Sequence, residues 1–190
     1  MRGPGSPGRE GGEEGQGVRG LGPRDVVPEC RRGGEAVILS EGDLILWGER
    51  IGGEVERPVF LGLRGQLGAG KSVLARAIAR GAGVEGTMPS PTFNLLFRYE
   101  GRDGQEVVHM DLYRLRDPEE LWELGWEELG HGPELVLVEW PERAGDHLPE
   151  DRWDIHLTLP DPGSAFRRVQ VHRSGAPPHL PGFPVQLESS

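Results

Sequence analysis

Residues 59–72 read Val59-Phe60-Leu61-Gly62-Leu63-Arg64-Gly65-Gln66-Leu67-Gly68-Ala69-Gly70-Lys71-Ser72. The apolar run from Val59 to Leu63 predicts a short buried strand that feeds directly into a glycine-rich turn. Beyond the turn, Val73, Leu74, Ala77 and Ile78 fall on one side of a helical pattern reaching Arg80, and Gly81 and Gly83 supply a stop. Strand, glycine loop and helix in that order make a P-loop. Its glycines let the backbone turn N–H groups, and the helix N-terminus, toward concentrated negative charge. The Lys71 ammonium is suited to the β- and γ-phosphates of a nucleoside triphosphate, and the Ser72 hydroxyl is a hard oxygen ligand for Mg2+. Gly65, Gln66, Leu67, Gly68, Ala69, Gly70, Lys71 and Ser72 are therefore the expected phosphate-binding residues, with ATP and Mg2+ as cofactors. The bland alternative is a chance glycine-rich turn, and the flanking strand and helix argue against it.

Among 21 basic residues Lys71 is the one lysine. Biased codon usage accounts for the arginines in general. A planar guanidinium does not replace a compact ammonium at the phosphates, so the P-loop is where lysine is expected to persist.

A P-loop site also needs a carboxylate near the metal, ordinarily at the end of a neighbouring apolar strand. Two apolar runs, Val107 to Met110 and Leu135 to Val138, each end in an acid, Asp111 and Glu139. Glu139 is the better candidate for the second Mg2+ anchor. Asp111 has the same placement and is expected either to orient an attacking water or to respond to the γ-phosphate. Both join Lys71 as candidate catalytic residues, against the plain alternative of surface acids at strand ends. His109, inside its apolar run, reads as a satisfied core histidine. Asp117-Pro118-Glu119-Glu120 reads as a helix start, with Asp as N-cap and Pro in the first turn, and the helix is expected to reach about Leu129. Strand and helix signals alternating in this way predict an α/β fold, a single P-loop NTPase-like domain whose mixed central sheet is flanked by helices.

Composition sets the boundaries. Residues 1–34 contain 11 Gly and 4 Pro and predict a disordered leader. Residues 35–173 are the expected P-loop domain, and the proline-rich residues 174–190 are expected to form a flexible tail. A single cysteine, Cys30, excludes an internal disulfide and fits a reducing, cytoplasmic setting. No apolar run is long enough to suggest a membrane partner. Residues 35–173 carry 25 acidic against 15 basic side chains, so the domain is expected to repel free nucleic acid, and any RNA role is expected to run through a partner.

Five segments then stand together: Gly65 to Ser72, Ser90-Pro91-Thr92-Phe93, His109-Met110-Asp111-Leu112-Tyr113-Arg114-Leu115, Asp117-Pro118-Glu119-Glu120-Leu121 and Val138-Glu139-Trp140-Pro141-Glu142-Arg143. Their order and spacing resemble the bacterial TsaE (YjeE) family over roughly residues 35–173. The resemblance implies a slow ATPase that supports threonylcarbamoyl transfer to the adenosine beside the tRNA anticodon, acting through a TsaB-TsaD transferase pair. It implies that Lys71 is the phosphate lysine, that Ser72 and Glu139 bind Mg2+ and that Asp111 is an essential acid. By the same resemblance Thr92 is a switch-like threonine near the γ-phosphate and Trp140 an aromatic beside the site. Two positions depart from the family pattern: Gln66 replaces its usual acid, and Ser72 replaces the commoner threonine while keeping the ligand oxygen.

Two other functions share these motifs. A small-molecule P-loop kinase would add an acceptor pocket and usually an arginine-rich lid, and no such lid follows the core helices. A non-catalytic ATP-sensing adaptor would carry the same loop. A regulatory GTPase is excluded, because its Asn-Lys-x-Asp guanine motif needs a lysine outside the P-loop.

Overall fold

Strand β2 (Val59–Arg64) takes a central place in a seven-stranded sheet of order β1-β7-β6-β2-β5-β4-β3. The computed structural model describes residues 36–89, 91 and 95–183. Thr92 and the leader 1–34 therefore lie outside the described residues. The other strands are β1 (Val37–Ser40), β3 (Leu96–Glu100), β4 (Glu106–Asp111), β5 (Leu135–Glu139), β6 (Arg152–Thr158) and β7 (Phe166–Ser174). Strands β6, β2, β5 and β4 run parallel, while β1, β7 and β3 join antiparallel, so the sheet is mixed as expected.

Helix α1 (Glu41–Glu54) begins at a capping box. Ser40 Oγ accepts from the Asp43 amide at 3.1 Å, and the Asp43 carboxylate accepts from the Ser40 amide at 3.2 Å. Helix α2 (Lys71–Gly81) follows the P-loop, within a residue of its sequence expectation. The two helices cover one sheet face, where Leu61, Leu63, Leu74, Ile78, Leu137 and Ile155 form the larger core. They approach so closely that a Cβ on Gly52 would collide with the Ile78 carbonyl oxygen, and one on Gly81 with that of Glu49. Phe60, Val108, Met110, Val136 and Val138 line the opposite face.

That second face is covered differently from expectation. In place of one helix running to Leu129, α3 spans only Glu120–Glu123, Gly125 turns left-handed at φ 72°, and a 3-10 turn follows at Trp126–Glu128. The break separates two tryptophans that a continuous helix would place on one face. Trp126 enters the core beside Phe60, whereas Trp122 stays 44% exposed. Burying Leu121 and Trp126 together outweighs the local helix signals.

Residues 175–183 also correct the expectation of a flexible tail. Trp153 Nε1 donates to the Pro178 carbonyl at 2.8 Å and Trp47 Nε1 to that of Pro181 at 2.9 Å. Leu180 and Phe183 join the larger core, and the Phe183 ring sits 4.6 Å from Trp47. A proline-rich segment keeps its carbonyls free to accept, and a buried indole N–H requires such an acceptor. Removing residues 175–190 is expected to cost at least about 2 kcal/mol, because the core loses the burial supplied by Leu180 and Phe183 and two indoles lose their acceptors. Urea unfolding followed by tryptophan fluorescence measures this; an unchanged midpoint would contradict the packing of this segment, a strap across Trp47 and Trp153.

Candidate nucleotide-binding site

The site is assembled where β2, β5 and β4 end side by side. Parallel register places Leu63 beside Glu139 and Glu139 beside Asp111, so the P-loop leaves β2 next to both strand-end acids. Gly65 opens the loop at φ 139°, and a Cβ there would collide with the Leu157 carbonyl. Gly70, left-handed at φ 105°, starts α2 without any side-chain cap, which leaves the first backbone N–H groups of the helix for another acceptor.

Lys71 is only 4% exposed, and its Nζ donates to the carbonyls of Gly65 at 2.7 Å and Gln66 at 3.0 Å. The same ammonium lies 3.8 Å from the centre of the Trp140 ring. Burial pulls the Lys71 ammonium below its ordinary pKa, and the carboxylates of Glu139, Asp111 and Glu142 oppose that pull. Ser72 Oγ donates to Glu139 Oε2 at 2.8 Å, while the other oxygen, Oε1, lies 3.0 Å from His109 Nε2. Asp111 accepts from the Tyr113 amide at 3.0 Å, which fixes the turn after β4. Trp140 adopts a left-handed backbone at φ 58°, unusual for a bulky residue, and this aims its ring across Lys71 and onto Tyr113 at 5.0 Å.

The structure thus brings together Lys71, Ser72, Asp111, Glu139 and Trp140. Gln66 enters through its main chain, its carbonyl accepting from both Lys71 and the Ala69 amide. Its side chain is exposed, as is Leu67 at 76%. His109, read from the sequence as a satisfied core histidine, is buried and reaches Glu139 through Nε2; two-residue strand periodicity, placing it on the same face as Asp111, was the signal for that contact.

The donor set fits the implied ligands. Ser72 Oγ and Glu139 are adjacent hard oxygens, the small protein contribution that Mg2+ accepts when phosphate and water supply the rest. Uncapped N–H groups and Lys71 suit phosphate oxygens. A groove of about 810 Å3 between Trp122, Trp126, His147 and Pro178 lies at the other end of β2, beside Val59, and shares no residue with the loop. Among the described residues there is no group of three His, Cys, Asp or Glu side chains arranged for a metal, and no helix long and apolar enough to cross a membrane.

A glycine loop closed by a lysine, set between strand and helix and facing a strand-end glutamate, defines an α/β P-loop NTPase-like domain. The family model described as "Threonylcarbamoyl adenosine biosynthesis protein TsaE" matches residues 38–168, and the chain belongs to that family. It is similar to the tRNA threonylcarbamoyladenosine biosynthesis protein TsaE of Treponema pallidum, 37% identical over 123 residues that cover 65% of this chain and 90% of the relative. The Haemophilus influenzae protein of the same description is 40% identical over 50% of this chain and 60% of its own length. The one from Rickettsia felis is 48% identical over 52% and 57%. The matched stretch thus spans less than two thirds of these last two relatives. The crystal structure of Bacillus subtilus YdiB superimposes with a TM-score of 0.59 at 25% identity, covering 74% of this chain and 87% of that one.

Gly65→Ala is expected to lose about 1–3 kcal/mol, because a side chain must be forced into a left-handed position against the Leu157 backbone. Urea titration checks it, and a native midpoint would show that the loop can open differently.

Proposed function

We propose that this protein binds Mg-ATP at the P-loop and hydrolyses it slowly, in support of threonylcarbamoyl transfer to the adenosine beside the tRNA anticodon. The observation that carries the reading is the pairing of Ser72 Oγ with Glu139 Oε2 at 2.8 Å directly beside the buried Lys71. Lys71 exchanges its carbonyl partners for phosphate oxygens, and the loop amides from Gly65 to Ser72 complete the cradle. Ser72 and Glu139 hold the Mg2+, which when bound neutralises charge building on the phosphates. Asp111, at 4% exposure beside Glu139, orients the attacking water. Thr92 is proposed as the threonine that responds to the γ-phosphate, and Trp140 keeps water from one side of Lys71. The relatives' names concern tRNA threonylcarbamoyladenosine biosynthesis, and membership of their family supports the same role here. Contact with a TsaB-TsaD pair in the cytoplasm is part of the proposal.

Lys71→Ala is expected to weaken Mg-ATP binding by at least about 1.5–3 kcal/mol, the worth of a charge-assisted hydrogen bond. An unchanged dissociation constant by calorimetry would sink the P-loop assignment. Glu139→Gln and Asp111→Asn are expected to keep near-native nucleotide affinity while at least one loses most of its turnover. Wild-type hydrolysis rates in both, with partner present, would remove the roles given to the carboxylates.

The partner arm is tested separately. With 25 acids against 15 bases in residues 35–173, the isolated protein is expected to bind tRNA poorly at physiological salt and to associate with a TsaB-TsaD pair in the presence of ATP. Tight, salt-sensitive tRNA binding by the protein alone would favour direct RNA recognition instead.

A further inference from the structure

His109 is completely buried on β4, yet it is the only residue of the stretch Val107 to Met110 with a polar side chain. In the parallel register it pairs with Leu137, so Glu139, two residues further along β5, projects from the same sheet face. Its Nε2 lies 3.0 Å from Glu139 Oε1. The second carboxylate oxygen, Oε2, is engaged by Ser72 Oγ. Each oxygen of Glu139 is therefore held by a different element, one by β4 and the other by the start of α2.

The ring nitrogens settle which way the proton lies. A carboxylate oxygen can only accept from Nε2, so Nε2 carries the hydrogen. Nδ1 is buried and has no partner among the described residues. A proton there would be an orphan donor costing about 1–3 kcal/mol, so the ring is held with Nε2–H toward Glu139. An apolar residue would fill this core position without leaving a nitrogen unsatisfied. The terminal torsion of a glutamate is broad and nearly free, and a single hydrogen bond to Ser72 leaves the carboxylate able to swing about it. A second bond at Oε1 removes that freedom.

We propose that His109 is a positioning residue. It pins Oε1 of Glu139 so that Oε2 stays turned toward Ser72 and the two oxygens are preset for a divalent cation. The inference rests on reading Ser72 and Glu139 as that cation's oxygen pair, and it requires no contact between His109 and cation or nucleotide.

The test uses the full chain, with Mn2+ and ADP as probes. Paramagnetic resonance gives Mn2+ affinity in the presence of ADP, and calorimetry in EDTA gives ADP affinity without metal. His109→Leu keeps bulk but not the donor, and its Mn2+ affinity is expected to fall about 10-fold or more, the usual scale for a partner that orients a metal ligand. Metal-free ADP affinity is expected to stay within about two-fold, a separation that general loosening of the core would not produce. His109→Gln, whose amide N–H can reach the same oxygen, is expected to recover Mn2+ affinity to within about three-fold of the native value. Native Mn2+ affinity in His109→Leu overturns the proposal, as does an equal loss in both variants. Failure of the native protein to bind Mn2+ with ADP would instead overturn the Ser72–Glu139 reading, and this inference with it. Should His109→Leu not fold, nitrogen-15 NMR of the native imidazole decides: a proton on Nε2 is expected, and one on Nδ1 overturns the proposal.

Discussion

In-register parallel pairing of β2 with β5, and of β5 with β4, forces three chain segments to leave the sheet at one edge. The buried strands fix that alignment, since slipping any of them by one residue would turn Leu61, Val136 or Val108 out of its core. Glu139 and Asp111 are the last residues of their strands, so the same register that satisfies the core delivers two carboxylates to the P-loop. Stability and site geometry are here consequences of one set of ladder hydrogen bonds.

What was legible in the sequence follows from how local each signal is. The β2-loop-α2 unit was readable because its glycines, lysine and apolar run are contiguous, and both strand-end acids stood out against apolar neighbours. Helix α1 drew no sequence expectation, and its Gly42, Gly48, Gly52 and Gly53 are poor helix formers. Two of these are contacts instead: a Cβ at Gly48 would press on Ala77, and one at Gly52 on the α2 backbone. Their meaning exists only when α2 is alongside. Strands β6 and β7 carry alternating patterns diluted by charge, with Arg64 and Arg152 both paired to the buried Asp154. The strap at 175–183 was invisible for a related reason, since its partners Trp47 and Trp153 lie far away in sequence.

Candidate-site residues divide along the same line. Lys71, Ser72, Asp111 and Glu139 follow from spacing and residue type. The roles of His109 and Trp140 depend on what faces them across the sheet edge: a carboxylate oxygen for one, an ammonium for the other. Gln66 reaches Lys71 through its carbonyl while its side chain is exposed, and any residue supplies a carbonyl.

The charges at the edge carry the argument one step further. One buried ammonium, Lys71, faces two buried carboxylates, Asp111 and Glu139, and a third from Glu142 adds to the same field. These carboxylates repel an arriving polyphosphate, and a divalent cation on Ser72 and Glu139 would offset that repulsion. For the function proposed, cation and nucleotide therefore favour each other's binding, and linkage makes that preference reciprocal. The hydrogen bond between Ser72 and Glu139 keeps the two oxygens adjacent and gives one of them a proton partner until the cation takes its place. The Trp140 ring and the two loop carbonyls do the same for the Lys71 ammonium. The side chains of Lys71, Ser72 and Glu139 are thus each held by a partner that a ligand can replace, which limits the desolvation cost of assembling this buried charge before the ligand arrives.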